Sequence, residues 1–237
     1  MCPVLLTLPI RDVLPATPRA LAVRVDLEGR RFPYLAGQAA LIASHGHERR
    51  RPYSMAAAPE DAARDGWLEF LVGVDAAGVP GTHPTLAPGG LVDVEGPVGR
   101  FTFPMEPEEQ RFVFIAGGTG IAPLRAMLRH ALAAPHRQIG VLYSARTASE
   151  FAYEPELQSL ARQGRIELRQ TVTREAPAGW TGPRGHIGAG EIATLIHDPA
   201  TMCFICGPPA LVEDMPKQLD ELGILPRRIK IEEWGSS

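Results

Sequence analysis

Residues 111–132 read RFVFIAGGTGIAPLRAMLRHAL, and this stretch decides the architecture of the second half of the chain. Phe112 to Ala116 is a short apolar run, partly β-branched and partly aromatic, which predicts a buried strand. Gly117, Gly118 and Gly120 follow directly; then Leu124, Met127, Leu128 and Ala131 recur at helical spacing. Pro123 falls near the first helical turn, where a missing N–H is harmless. Strand, glycine turn and helix in succession bring bare backbone N–H groups up to a phosphate at a helix N-terminus. Many α/β proteins also enter a helix through such a turn without holding a phosphate. Here Pro123 stands where the common dinucleotide fingerprint has a small residue.

Toward the C-terminus the pattern alternates. Strands predicted at 112–116, 139–144, 166–172, 202–206 and 228–232 interleave with helices at 122–133, 154–163, 189–196 and 210–222. Such alternation implies a parallel sheet with right-handed crossovers. Toward the N-terminus, the acidic, proline-bearing MEPEEQ at 105–110 reads as a linker. Before it lie short strand-like runs at 20–27, 39–43, 53–57, 68–74 and 91–95, separated by glycine-bearing turn signals. Several short strands with no long helical pattern predict a small antiparallel barrel. The expected fold class is β + α/β: an antiparallel β-barrel domain over 1–106, then a parallel-sheet, nucleotide-type α/β domain over 107–237. A length of 237 residues fits two domains.

The composition, 45% hydrophobic and 22% charged, is that of a soluble globular protein. No run of 18 apolar residues is present, so no membrane span is expected, and the first ten residues lack the basic-then-apolar pattern of a signal peptide. The expected location is cytoplasmic. A formal net charge of −3 gives no whole-molecule attraction to nucleic acid. Three cysteines are too few for a disulfide framework or a four-cysteine iron–sulfur site. Cys203-x-x-Cys206 also reads as a redox pair or half a zinc site, but a strand does not bring i and i+3 side chains to one face, and no second pair completes four ligands. His45, His47, His186 and His197 have no ligand spacing.

Two stretches of the first half carry chemistry. In Arg51-Pro52-Tyr53-Ser54, Tyr53 offers a flat ring for stacking, Ser54 a hydroxyl, and Arg51 a bidentate fork for phosphate. The same tetrapeptide also reads as a strand-edge tyrosine beside a solvated arginine face. Gly81-Thr82 reads either as the start of a short helix that meets an anion or as a plain loop.

Together the motifs form a series. Arg51-x-Tyr53-Ser54, Gly81-Thr82, Glu95-Gly96-Pro97-x-Gly99-x-Phe101, Gly117-Gly118-Thr119-Gly120-Ile121-Ala122-Pro123, Cys206-Gly207-Pro208-Pro209 and Glu232-Glu233-Trp234 occur in that order. The chain resembles the ferredoxin–NADP reductase-like flavoprotein family over nearly its whole length, and Pro123 is what that family has. The resemblance implies a flavin-binding barrel followed by an NAD(P)-binding domain. It implies Arg51 as a flavin-phosphate ligand, with Pro52 beside it, Tyr53 packed beside the flavin ring and Ser54 near its reactive nitrogen. Gly81 and Thr82 would make a second phosphate contact, from which His83-Pro84 departs. Gly118, Thr119, Gly120 and Pro123 would receive the dinucleotide. Cys206, followed by Gly207 and Pro208, would lie beside the nicotinamide. Glu232 would be the carboxylate near the flavin and Trp234 the C-terminal aromatic.

The implied chemistry is hydride transfer from NADPH or NADH to FAD, or less readily FMN. Catalytic roles fall to Ser54, Cys206 and Glu232, and no metal is implied. Arg146, at a strand end where an acidic residue favours the ribose of NAD, leans toward NADPH with Arg174 as a second contact; it equally suits stacking on adenine. Relatives often carry a four-cysteine iron–sulfur domain, which this chain of three cysteines does not supply. A separate one-electron acceptor, a ferredoxin or an oxygenase component, is therefore the expected partner, with Arg30, Arg31, Arg49 and Arg50 as a basic docking rim. The alternatives are reduction of small diffusible acceptors such as free flavin or quinone, and a non-catalytic electron-transfer subunit.

Overall fold

The computed structural model describes residues 4–74, 86–174 and 179–232, and the chain divides into two compact units. The first comprises Met1–Phe103 together with Arg125–His130; the second comprises Pro104–Leu124 and Ala131–Ser237.

Strands β1 (Val4–Thr17), β2 (Ala20–Asp26), β3 (Ala39–Ser44) and β4 (Arg51–Ser54) open the first unit; helix α1 (Pro59–Asp65), β5 (Trp67–Gly73) and β6 (Leu91–Val98) complete it. The strands pair antiparallel in the order β4-β3-β6-β1-β2-β5. Just past β4, Met55 bridges Phe70 of β5, and the Ala56 N–H donates to the Glu69 carbonyl (2.7 Å), so the two sheet edges meet and the barrel closes. The strand expected over 53–57 ends at Ser54 because, past the bridge at Met55, the chain bends at Ala57 and enters α1. Strand β1 goes beyond what the sequence pattern predicts. Its first half pairs with β6 and its second with β2, with register shifts after Ile10 and Pro15. These irregularities, together with Pro9 and the polar Arg11-Asp12, break the period-two alternation by which a strand is read. Alternate side chains, among them Leu8, Ile10, Val23, Val25, Phe70 and Val94, fill the interior.

The second unit contains β7 (Arg111–Gly117), α2 (Ile121–Ala133), β8 (Gln138–Ala145), α3 (Glu154–Arg162), β9 (Glu167–Val172), α4 (Ala189–Ala193), β10 (Met202–Cys206), α5 (Pro209–Glu221) and β11 (Ile229–Glu232). The middle turn of α2 groups with the first unit. The sheet runs β11-β10-β7-β8-β9 and every pair is parallel. The chain therefore starts at the central strand, winds outward through β8 and β9, then returns to the other side of β7 as β10. That reversal puts a topological switch point at the carboxyl ends of β7 and β10, where open α/β sheets hold their ligands. Both strands are almost wholly buried, as expected for a parallel sheet covered by helices.

Candidate active site

The two strand ends at the switch point meet backbone to backbone. Ala116 lies opposite Cys206 in the ladder, and the glycines beyond make the approach possible. A Cβ on Gly207 would stand 3.0 Å from the Gly117 backbone, and one on Gly120 would stand 2.6 Å from the Cys206 carbonyl carbon and 2.8 Å from the Gly207 nitrogen. Only hydrogen fits there. Gly118 is different: its φ is +55°, and a Cβ would meet nothing within 4 Å. Gly118 and Thr119 are exposed while Gly120 and Pro123 are buried, so the turn shows bare backbone outward and packs inward. A 3₁₀ turn over Gly118–Gly120 runs straight into α2.

On the other side of the switch point, Cys206 and Glu232 are ladder neighbours, and the Cys206 thiol donates to Glu232 Oε2 (3.1 Å). Cys206 is fully buried and Glu232 half-buried. Cys203 points into the core with Ile205, and burial pushes its thiol up to about 12. Neither Cys203 nor Cys206 is in a disulfide, and no group of three metal-ligating side chains occurs among the described residues. Gly207 is half-buried and Pro208 exposed at the start of α5.

Arg146 lies just past β8, where the Arg174 N–H donates to its carbonyl (2.9 Å) and the Thr173 N–H to that of Ala145 (2.9 Å). The backbone thus brings the exposed Arg146 and Arg174 side by side.

In the first unit, Tyr53 and Ser54 are buried, at 8% and 6% exposure, while Arg51 is half-buried and Pro52 exposed. The Tyr53 ring lines a small apolar cavity inside the barrel with Val25, Ile42, Phe70 and Val92. Burial pushes its phenol up to about 12, and the neighbouring Arg51 guanidinium offsets part of that rise. Gly81, Thr82 and Trp234 lie outside the described residues. Of the basic rim, Arg30 pairs with Glu28 (3.2 Å) and Arg50 with Glu95 (3.3 Å), while Arg31 and Arg49 are exposed.

Two residues with evident roles were not anticipated. Arg125 of α2 is 9% exposed and donates to the Ala56 carbonyl (2.8 Å) and to Glu69 (2.9 Å). Tyr143 of β8 is fully buried and donates to the Gly118 carbonyl (2.9 Å). A hydroxyl-bearing residue in the otherwise apolar strand run VLY is the sequence signal for the second; the first has none, because its partners are 56 and 69 residues away.

Residues 114–217 match the family model described as the oxidoreductase NAD-binding domain. The chain is 35% identical over 222 residues to ferredoxin–NADP reductase B of Sorangium cellulosum, covering 87% of this chain and 88% of that one. It superposes on the Amycolatopsis cytochrome P450 reductase GcoB with a TM-score of 0.85 at 26% identity, over 98% of this chain and 70% of that one. It shares its fold, at 19% identity and a TM-score of 0.79, with a Neisseria gonorrhoeae ferredoxin NADP+ reductase crystallised with FAD and NADP, over 96% of this chain and 98% of that one. Several other relatives are longer, and the chain spans 16% to 63% of their length. The chain belongs to the ferredoxin–NADP reductase-like flavoprotein family. It is an NAD(P)H-dependent flavoprotein reductase, a class that binds FAD and draws on NAD(P)H.

The residues present fit both groups. The turn at Gly118 and Thr119 exposes backbone where a pyrophosphate would sit, and the half-buried Arg51 would present a guanidinium fork to a flavin phosphate. No helix of the described residues is long and apolar enough to cross a membrane.

Proposed function

We propose that this reductase takes hydride from NADPH onto FAD and delivers the electrons singly to a separate ferredoxin-type or oxygenase partner. The observation that carries the reading is the switch point itself, where a glycine turn open to a phosphate abuts a buried thiol held by a carboxylate. The acceptor class rests on the match to a ferredoxin–NADP reductase along 88% of its length. The flavin, when bound, supplies the exchange between two-electron and one-electron chemistry.

The chain's own residues bind and orient. Arg51 holds a flavin phosphate, and Ser54 offers its hydroxyl to the ring nitrogen that gains the hydride. Cys206 packs against the nicotinamide by shape and polarizability, its thiol proton committed to Glu232 and its nucleophilicity unused. Gly118, Thr119 and Gly120 hold the pyrophosphate, with Pro123 shaping the first turn of α2. Arg146 and Arg174, joined through their backbones, form a fork for the 2′-phosphate of NADPH.

The test is steady-state kinetics of the FAD-loaded protein with NADPH and NADH against a ferredoxin, free FMN, a quinone and ferricyanide. Fast NADPH-driven reduction of ferricyanide and ferredoxin with slow reduction of FMN and quinone supports the proposal. The reverse order of acceptors assigns the chain to small diffusible substrates. Arg146→Ala should raise the KM for NADPH about ten-fold and leave that for NADH unchanged, as loss of one charge-assisted hydrogen bond requires.

A further inference from the structure

Tyr143 lies two residues before the end of β8, the strand leading to Arg146, and its hydroxyl ties three segments together. It donates to the Gly118 carbonyl (2.9 Å) and accepts from the Ala152 N–H (3.2 Å), in the bend that precedes α3. Burial and the nearby Glu150 and Glu154 raise its phenol above the ordinary value, outweighing the Ala152 bond, so it stays a donor at every working pH. Phe151 packs edge-on against its ring (centroids 5.0 Å apart), and Trp180 stacks on Phe151 (5.9 Å). The tyrosine is therefore fixed on all sides.

The consequence lies in the peptide plane it grips. In a trans peptide, the carbonyl of one residue and the N–H of the next point in opposite directions. The Gly118 carbonyl takes both the Ile121 N–H, within the 3₁₀ turn, and the buried Tyr143 hydroxyl. With that carbonyl held inward, the Thr119 N–H is held outward, on the exposed side of the turn. Rotation of that peptide turns on ψ of Gly118, which no Cβ restrains, and on φ of Thr119, so the hydroxyl's grip on the carbonyl adds to the restraint that Thr119 alone gives. We infer that Tyr143 is a positioning residue for the dinucleotide: its hydroxyl locks the Gly118–Thr119 peptide so that the Thr119 N–H faces the pyrophosphate.

This rests on the reading that the turn receives the pyrophosphate, and the experiment separates the two. FAD-loaded wild type and Tyr143→Phe are titrated calorimetrically with NADP+ and NAD+, and their kcat and KM are measured with ferricyanide as acceptor. Loss of one neutral hydrogen bond should raise both dissociation constants about five-fold, equally, since both ligands share the pyrophosphate, and should leave kcat and FAD content unchanged. A Kd within two-fold of wild type overturns the inference, as does a loss confined to NADP+ or one seen only in kcat. Wild type that binds neither dinucleotide overturns the reading of the turn and the inference with it. If Tyr143→Phe does not fold, hydrogen exchange on wild type decides. NADP+ should slow exchange at Ala152 together with the turn amides, and unchanged exchange at Ala152 overturns the inference.

Discussion

Replacing Arg125 by methionine tests how the barrel's outer face is held. Asp12, Arg24 and Glu69 lie in one row across β1, β2 and β5, and Arg24 donates to Glu69 at 2.8 Å. Arg125 completes the set from α2: its side chain is 11% exposed, that of Glu69 only 5%. Arg125→Met leaves the Glu69 carboxylate buried with one partner instead of two and removes the donor to the Ala56 carbonyl, two residues past Ser54. Breaking a buried pair by removing one partner typically costs about 3–5 kcal/mol. Arg24 stays in place and its side chain is 33% exposed, so the lower end applies, about 3 kcal/mol. If the chain unfolds as one transition, that lowers Tm by about 6–12 °C; if the first unit melts alone, the fall is larger. Scanning calorimetry reads either case. The double variant Glu69→Leu, Arg125→Met should regain most of the loss, because no uncompensated charge remains buried. A fall equivalent to less than about 1 kcal/mol, or a double variant no more stable than Arg125→Met, would refute the reasoning.

Gly120→Ala sets a Cβ against the Cys206–Gly207 backbone, so it should destabilise by about 2 kcal/mol and raise the KM for NADPH; Gly118→Ala, strained but unobstructed, should cost about half that by chemical denaturation. Cys206→Ala should lower kcat about ten-fold with the dinucleotide Kd unchanged, whereas Cys206→Ser, which keeps a donor to Glu232, should retain more activity in stopped-flow reduction of the flavin. Burial alone would raise Asp93, but hydrogen bonds from Thr7, His45 and the Gly46 N–H hold it below its ordinary 3.8. For Asp61, hydrogen bonds and charge from Arg129 and Arg64 likewise outweigh burial. Carboxylates depressed in the folded state add stability above their unfolded pKa and lose it as pH falls through the folded one. Stability should therefore drop below about pH 4, and less steeply in Asp93→Asn, as read by denaturant titration across pH.

The two architectures and the order of the motifs were legible in the sequence because they rest on short-range physics. Apolar periodicity separates strand from helix within a dozen residues. A glycine turn between the two announces itself whatever lies elsewhere in the chain. So Gly117–Gly120 could be named from their neighbours in sequence, whereas Cys206 and Glu232 are named through the family resemblance that the order of the motifs carries. Where periodicity is broken, as in β1 with its two register shifts, the same physics is blind. Tertiary structure alone decided the rest. Barrel closure at Met55 and Phe70, the pairing of Cys206 with Glu232 and the grip of Tyr143 on Gly118 join residues 15, 26 and 25 positions apart. Arg125 finds Glu69 at a separation of 56. Such partners meet only after the sheets have set their registers, and a buried donor then takes whichever acceptor the fold delivers, because leaving it unpaired costs more than any local preference can offset.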